Sequence, residues 1–163
     1  MRVKKWALLA ALAVLICTWL LVLATRVSTP CEDYEEKLRA ADRTEACIRV
    51  VHDLKLEMDI PINTASDIND TGVIGQDYSV ITTTLGELEA KRTSTNPNMA
   101  AVVVDMFHEL GLQPGDKVAI NCSGSFPALN IAVMCAVDTL GLDPMLISSF
   151  GASTHGANDP ELT

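Results

Sequence analysis

The feature that most constrains this chain is an uncharged, apolar run near its N-terminus. Residues Trp6 to Ala24 read WALLAALAVLICTWLLVLA, which is 19 positions without an acidic or basic residue. A helix of about 20 such residues spans the roughly 30 Å hydrocarbon core of a bilayer. The run therefore predicts one transmembrane helix, with residues 1–26 as a membrane segment and the lipid bilayer as a partner.

The charges that flank the run predict its orientation. Arg2, Lys4, Lys5 and the α-amine precede it, whereas Arg26 alone follows closely. The positive-inside rule then places the N-terminus in the cytoplasm and the remainder outside, as in a single-pass signal-anchor protein of the cell membrane. A cleaved signal peptide is the alternative, although its apolar region normally covers only about 7 to 15 residues.

The rest of the chain is strongly acidic. Four of the twelve Lys and Arg residues lie at or before Arg26, so eight basic residues face twenty-one acidic ones and the net charge is −13. Binding a nucleic-acid backbone requires clustered basic residues, and the adjacent basic pair here is Lys91-Arg92. We therefore expect no nucleic-acid partner, and any anionic ligand has to be captured locally.

The cysteines and the motifs give no support to a bound cofactor. Cys17 lies in the apolar run, and Cys31 and Cys47 are close enough in sequence for a disulfide outside the membrane to be an open question. The chain has no CxxC or His/Cys cluster of the kind that binds zinc, and it matches neither Walker A nor the full GxGxxG pattern. We expect neither a metal nor a cofactor.

The segment after the membrane run predicts a helix and then irregular structure. Residues 32–58 are rich in helix-forming residues with apolar positions three and four apart, which indicates a helical stalk over residues 27–60 that packs on the domain or recruits a partner. From Pro61 to Asn96 the pattern weakens, and Thr82-Thr83-Thr84 is the β-prone run in its second half. We expect loop with short irregular elements there.

The last third of the chain predicts a βαβ unit. A helix begins at Asn96-Pro97 and ends at Gly111, and residues 117–121 form a short apolar run typical of a buried strand. A second helix, with Ser125 as N-cap, runs to Leu140, and residues 145–149 predict a second strand. The expected fold is thus α/β, with a Rossmann-like βαβ-containing domain over residues 61–163.

The best candidate site lies where the two predicted strands end. Ser123-Gly124-Ser125 follows the first strand and Ser148-Ser149 ends the second, so the two meet at one edge of a parallel sheet, where α/β folds bind ligands. The start of the second helix there would receive a carboxylate or phosphate on its free N–H groups. Ser and Gly are also ordinary turn residues, so a purely structural role is the alternative.

Other candidate residues surround this edge. Asn121 ends the first strand, and Lys91 with Arg92 would add charge-assisted hydrogen bonds if their loop folds over the site. A catalytic alternative takes Ser123 or Ser125 as nucleophile, His155 as base and Asp159 to orient the histidine. The GxSxG elbow is missing, and a histidine in a polar loop is usually solvated.

Several longer strings resemble one family. The strings fall within residues 74–163 and are Ile81–Gly86, Leu88–Pro97, Ser123–Asn130, Ile147–Ser149 and Gly156–Pro160. In that order they resemble the poly-gamma-glutamate system protein family. The resemblance implies a bacterial membrane protein that works with the synthase and export subunits of poly-γ-glutamate, a capsule or secreted polymer of γ-linked glutamates.

The resemblance does not supply a molecular activity. We expect an accessory component that binds an anionic ligand around Ser123 to Ser125, with Asn158 of the last string among the binding residues. A serine-dependent hydrolase or transferase acting on the polymer and a scaffold subunit are the alternatives, and the sequence leaves open whether the chain is an enzyme. Members of the family are longer, so we expect an N-terminal fragment whose missing part completes the sheet.

Overall fold

The computed structural model describes residues 4–162. The predictions above also use Arg2, the N-terminal amine and the chain end at Thr163, and these lie outside the described residues. Its internal contacts divide the chain into two units, Met1–Glu32 and Asp33–Thr163. The first unit contains helix α1, Lys5–Ala24, whose mean hydropathy is 2.7 and in which no residue is buried. Twenty residues rise about 30 Å, so α1 is long and apolar enough to cross a membrane as an anchor or a signal sequence.

The second unit is a mixed α/β structure built on three packed helices. Helix α2 spans Tyr34–Glu57, α4 spans Met99–Glu109 and α5 spans Pro127–Thr139, and each contacts the other two. The core that they share contains mainly small and branched side chains, namely Ala40, Ala100, Val104, Phe107, Ala132, Ala136, Val137, Leu140 and Leu142. Alanines at the contacts let the helices approach closely. Burial of each valine contributes roughly 1.5–3 kcal/mol.

The predicted βαβ unit is present. Strand β2, Lys117–Ser123, pairs in parallel with β3, Asp143–Ser149, in an unbroken register, and α5 connects them. The expectation of a buried strand at residues 117–121 was wrong, because Val118 and Ile120 are half-buried and the other three residues are exposed, and every residue of β3 is exposed. Val118 and Ile120 of β2 pack on the helical core, but no described element covers β3, so its apolar side chains face solvent.

A second, smaller sheet organises the segment that was expected to be irregular. Strand β1, Thr82–Thr84, pairs in parallel with β4, Ala152–Ser153, which confirms the β-prone threonine run. Helix α3, Leu88–Ser94, follows β1 and was not predicted. Its residues Leu, Glu, Ala, Lys and Arg are all strong helix formers, and this signal was available in the sequence. The rest of residues 61–96 is loop and turn.

Helices α4 and α5 both end just before the glycines that the sequence predicted. Gly111 and Gly141 have φ of +71° and +64°, the left-handed region that glycine adopts without strain. At each end the glycine N–H bonds back to a carbonyl three residues earlier and the next N–H to one five residues earlier, as in the Schellman motif. The predicted N-cap was wrong, because α5 begins at Pro127 after Phe126 and the Ser125 side chain does not cap it.

Candidate functional site

A cavity of about 540 Å³ lies in the second unit, where the carboxyl ends of β2 and β3 meet the start of α5. It lies at the sheet edge where ligands bind in α/β folds. The residues that line it come from α2, from the loop after residue 71, from the β2–α5 connection and the first half of α5, from the end of β3 and the residue after it, and from the last residues. They are Val51, Leu54, Lys55, Gly72, Val73, Gly75, Gly124, Pro127, Asn130, Ile131, Ser148, Ser149, Phe150, Gly156, Ala157, Asp159 and Leu162.

The cavity contains a buried ion pair. Lys55 is 5% exposed and Asp159 is 4% exposed, and the lysine Nζ lies 3.8 Å from Oδ2 of the aspartate. Burial lowers the pKa of Lys55, and the charges of Asp159 and Asp67 offset part of that shift. At 3.8 Å the pair has charge attraction without a direct hydrogen bond, so the ammonium keeps donors for another acceptor.

Sequence reasoning missed Lys55, although a signal was available. The residue lies four positions after Val51 and seven after the buried Ile48, so it is on the same face of α2 as these apolar residues. A lysine on the buried face of an amphipathic helix has to find a partner or a cavity, because its charge is costly to bury alone. Here α2 brings Lys55 to the cavity, although the residue lies 68 positions before Ser123, where the predicted binding segment begins.

The start of α5 adds a second source of positive potential. Pro127 occupies the first turn, which contains no acidic residue, and the first-turn N–H groups have no acceptor within the helix. Pro127, Asn130 and Ile131 all line the cavity. The Asn130 amide donates to the carbonyl of Ser123 at 2.8 Å and so fixes the preceding turn against the helix.

The predicted serines brace that turn. The Ser123 hydroxyl accepts a hydrogen bond from the Ser125 N–H at 3.2 Å, and the Ser125 hydroxyl accepts one from the Ser153 N–H at 3.0 Å. Ser148 and Ser149 line the cavity directly, and Asn121 is an exposed residue of β2 that pairs with Ile147. Ser123 and Ser125 thus shape the site, while Gly124 between them contributes to its wall.

Lys91 and Arg92 do not line this cavity. Lys91 is 2% exposed, and its ammonium donates to the Ser125 carbonyl and to the Ser153 hydroxyl, at 2.7 Å from the latter, above the Phe126 ring at 3.8 Å. Burial lowers its pKa. The Arg92 guanidinium donates to the carbonyls of Ser66 and Ala65 at 2.8 Å each. Both cations therefore hold loops in place, and the expectation that they contact a ligand has no support in this geometry.

Asn158 is also structural. Its side chain is fully buried, its carbonyl accepts from the Gln76 N–H at 2.9 Å, and its NH₂ donates to the Gln76 carbonyl at 2.8 Å and to the Thr82 hydroxyl at 3.0 Å. These bonds engage both ends of the amide. The side chain joins the loop before β1 to the C-terminal segment, and the expectation that it binds ligand is not supported.

The residues of the predicted catalytic triad have other partners. His155 has a left-handed backbone with φ of +60°, and its Nδ1 lies 3.5 Å from Asp77 Oδ1, within ion-pair range but without hydrogen-bond geometry. Asp159 pairs with Lys55 instead. Among residues 4–162 no hydrogen bond joins His155 to Ser123 or Ser125. The serine-nucleophile interpretation thus stays a prediction without a supporting contact.

Two further groups of polar side chains lie outside this cavity. Asp33, Glu36 and His108 bring ligand atoms within 4.8 Å of one another, but the imidazole Nε2 already contacts the Glu36 carboxylate at 2.7 Å. An open cleft of about 870 Å³ beside α2 is lined by residues of both charges, among them Arg49, His52 and Asp70. Neither arrangement points to one class of ligand.

Comparison with known proteins does not assign the chain to a group. No protein-family model matches it, and the curated proteins and the solved structures give no match either. The resemblance to the poly-gamma-glutamate system family therefore stays a prediction that rests on the strings quoted above.

Proposed function

We propose that this protein is a membrane-anchored accessory component of poly-γ-glutamate synthesis and export, and that its α/β unit binds a carboxylate in the cavity beside α5. In this role the β2–α5–β3 unit is Rossmann-like, and α1 is an uncleaved anchor with a cytoplasmic N-terminus. The observation that carries the binding function is the nearly buried ammonium of Lys55 in that cavity.

The electrostatics favour a carboxylate over a neutral ligand. Lys55 presents its ammonium at the cavity, and the start of α5 adds the partial positive charge of a helix N-terminus. Hydrogen bonds to charged groups are stronger than those between neutral groups. Asp159 balances part of that charge, so the site does not attract anions indiscriminately. An acidic surface, with a net charge of −9 for the whole chain, repels anions until they reach this local field.

The cavity walls suit the stem of a γ-linked glutamate. Val51, Leu54 and Ile131 supply apolar surface, whereas Ser148 and Ser149 offer hydroxyls at the end of β3. A volume of about 540 Å³ falls in the range of small-molecule sites, roughly 300–1,000 Å³. A short γ-glutamyl segment combines methylene groups with one carboxylate per residue, which matches this lining.

The binding function is tested with the full chain in detergent micelles. A short γ-linked glutamate oligomer is titrated by calorimetry. The matched oligomer in which every free carboxylate is converted to its amide, so that its residues are γ-linked isoglutamine, serves as the ligand without carboxylates. We expect Lys55→Met to lower the affinity for the glutamate oligomer by about 10-fold to 100-fold, since a hydrogen bond to a charged group contributes about 1.5–3 kcal/mol. Lys117→Met, at an exposed lysine that pairs with Asp143, is the control and should bind as the wild type does.

Equal binding of the two oligomers would contradict the proposal, as would an unchanged affinity in a Lys55→Met variant whose circular dichroism matches the wild type. The pathway assignment has a separate test. Co-purification of the full chain with the synthase from a poly-γ-glutamate producer is expected, and its absence after gentle solubilisation would argue against a role in that machinery.

A further inference from the structure

Two cysteines face each other across the contact between α2 and α5. The Sγ atoms of Cys47 and Cys135 lie 3.9 Å apart, although the two residues are 88 positions apart in sequence. Cys47 is exposed and Cys135 is buried, and the structure shows both as free thiols. A disulfide has an S–S distance of about 2.05 Å, so a rotation of one side chain and a small approach of the helices would bring the sulfurs to bonding distance.

The helix contact holds these thiols in register from both sides. Four residues before Cys47, Arg43 forms an ion pair with Asp138, which lies three residues after Cys135. On the other side, Val51 and Ile131 pack against one apolar cluster. Positions 43, 47 and 51 of α2 thus match positions 138, 135 and 131 of α5, and an antiparallel helix contact produces this order. The sulfurs are placed opposite each other by the packing itself.

The geometry points to a redox-dependent disulfide between Cys47 and Cys135, which we propose as a covalent clamp between α2 and the βαβ unit. Cys47 would then pair with Cys135 and not with Cys31, which the sequence had left open. Both elements also line the cavity, through Lys55 on α2 and Pro127 on α5, so the clamp would fix the width of that site.

A small disulfide donor such as oxidised glutathione supplies the oxidant. The exposed Cys47 thiolate attacks the donor, breaks its S–S bond and forms a mixed disulfide, and one glutathione thiolate leaves. The Cys135 thiolate then attacks the Cys47 sulfur, forms the protein disulfide and releases the second glutathione thiolate. The two protons lost by the cysteines are taken up by the two glutathione thiolates, so the two cysteines are oxidised and the donor is reduced.

The environment of Cys135 determines the rate of the second step. Burial raises the pKa of its thiol, with a further rise from Cys47 and opposing effects from Thr44 and Arg43. The attacking species is the thiolate, so closure of the disulfide accelerates as the pH rises.

The test uses the purified full chain in detergent, incubated with oxidised glutathione. We expect two of the five thiols to be lost to maleimide titration, a Cys47–Cys135 cross-linked peptide in the non-reduced digest, and a thermal midpoint about 10 °C higher. Cys47→Ser should abolish all three effects. Cys31→Ser, at the other exposed cysteine outside α1, is the matched control and should leave them intact.

Three results would overturn the proposal. These are retention of all five thiols after oxidation, a cross-linked peptide that contains Cys31 instead, and thiol loss that persists in Cys47→Ser. The assay does not depend on the ligand, so its failure would leave the carboxylate site standing. Conversely, a failed ligand titration would not affect the disulfide.

Discussion

The ammonium of Lys91 lies 2.7 Å from the hydroxyl of Ser153, and among residues 4–162 no carboxylate pairs with it. One buried cation thereby joins α3 to β4 and, through the Ser125 carbonyl and the Phe126 ring, to the turn before α5. Two buried lysines thus have different places in the domain: Lys91 joins loops, whereas Lys55 lines the cavity. Burial lowers the pKa of each.

The lowered pKa values predict a rise of stability with pH. In the folded state both lysines release protons below the ordinary value of 10.5, so the unfolded chain binds more protons in that window. Unfolding then becomes harder as the pH rises toward 10.5. We expect thermal midpoints, followed by circular dichroism from pH 7 to 10, to rise less in Lys91→Met than in the wild type. Lys117→Met should keep the full rise, and equal slopes in all three proteins would contradict the interpretation.

The ion pair between Lys55 and Asp159 predicts a non-additive pair of mutations. Asp159→Asn leaves the buried Lys55 ammonium without its nearest opposite charge, and loss of one member of a buried pair costs about 3–5 kcal/mol. Adding Lys55→Met removes the stranded charge. We therefore expect the double variant to unfold at a higher denaturant concentration than Asp159→Asn alone. A double variant whose loss equals the sum of the two single losses would show that the residues do not interact.

Close backbone contacts at Gly156 predict that a methyl group is not tolerated there. A Cβ at Gly156 would lie 2.7 Å from the Gly124 carbonyl oxygen and 2.9 Å from the Ser125 Cα, and neither backbone atom can move freely. We expect Gly156→Ala to cost about 3 kcal/mol of unfolding free energy. Gly111→Ala, where the added methyl meets open space but φ is +71°, is the matched control and should cost about 1 kcal/mol. A reversed order would refute the packing of these two segments.

The apolar surface of α1 predicts how the chain is retained by membranes. Leu15 lies near the middle of Lys5–Ala24, and an arginine at the centre of a spanning helix costs about 2.5–3.5 kcal/mol of insertion free energy. Leu15→Arg should therefore move part of the protein to the supernatant on alkaline carbonate extraction. Val27→Arg, just beyond the helix, should remain in the pellet as the wild type does. Equal extraction of both variants would contradict a spanning role.

The sequence predicted the elements whose signals are local. The glycines that end α4 and α5, the apolar runs of β2 and β3 and the threonines of β1 each act through their own backbone preferences, and all were found. Helix α3 was missed because its seven residues lack an apolar period, and composition alone had to indicate it. The exposure of β3 was not predictable, since burial depends on which elements cover a strand and not on the strand itself.

The candidate site shows the same limit. The position at the carboxyl ends of β2 and β3 followed from parallel topology, but the charged residues inside the cavity did not. Lys55 comes from a helix that ends 60 residues before β2 begins, and only tertiary packing brings it there. Lys91 and Asn158 were expected to face a ligand, yet their polar groups satisfy buried loops instead.

Strand β3 has a practical consequence for anyone who handles this protein. Met145, Leu146 and Ile147 are between 49% and 66% exposed, and among the described residues the strand has a neighbour on one side only. An exposed apolar edge strand pairs readily with other extended chains, including copies of itself, and so promotes aggregation in concentrated solution. Shelf life and crystal quality should therefore depend on this strand more than on the helices, and a lysine in place of Leu146 is the first change to make before the sample is concentrated.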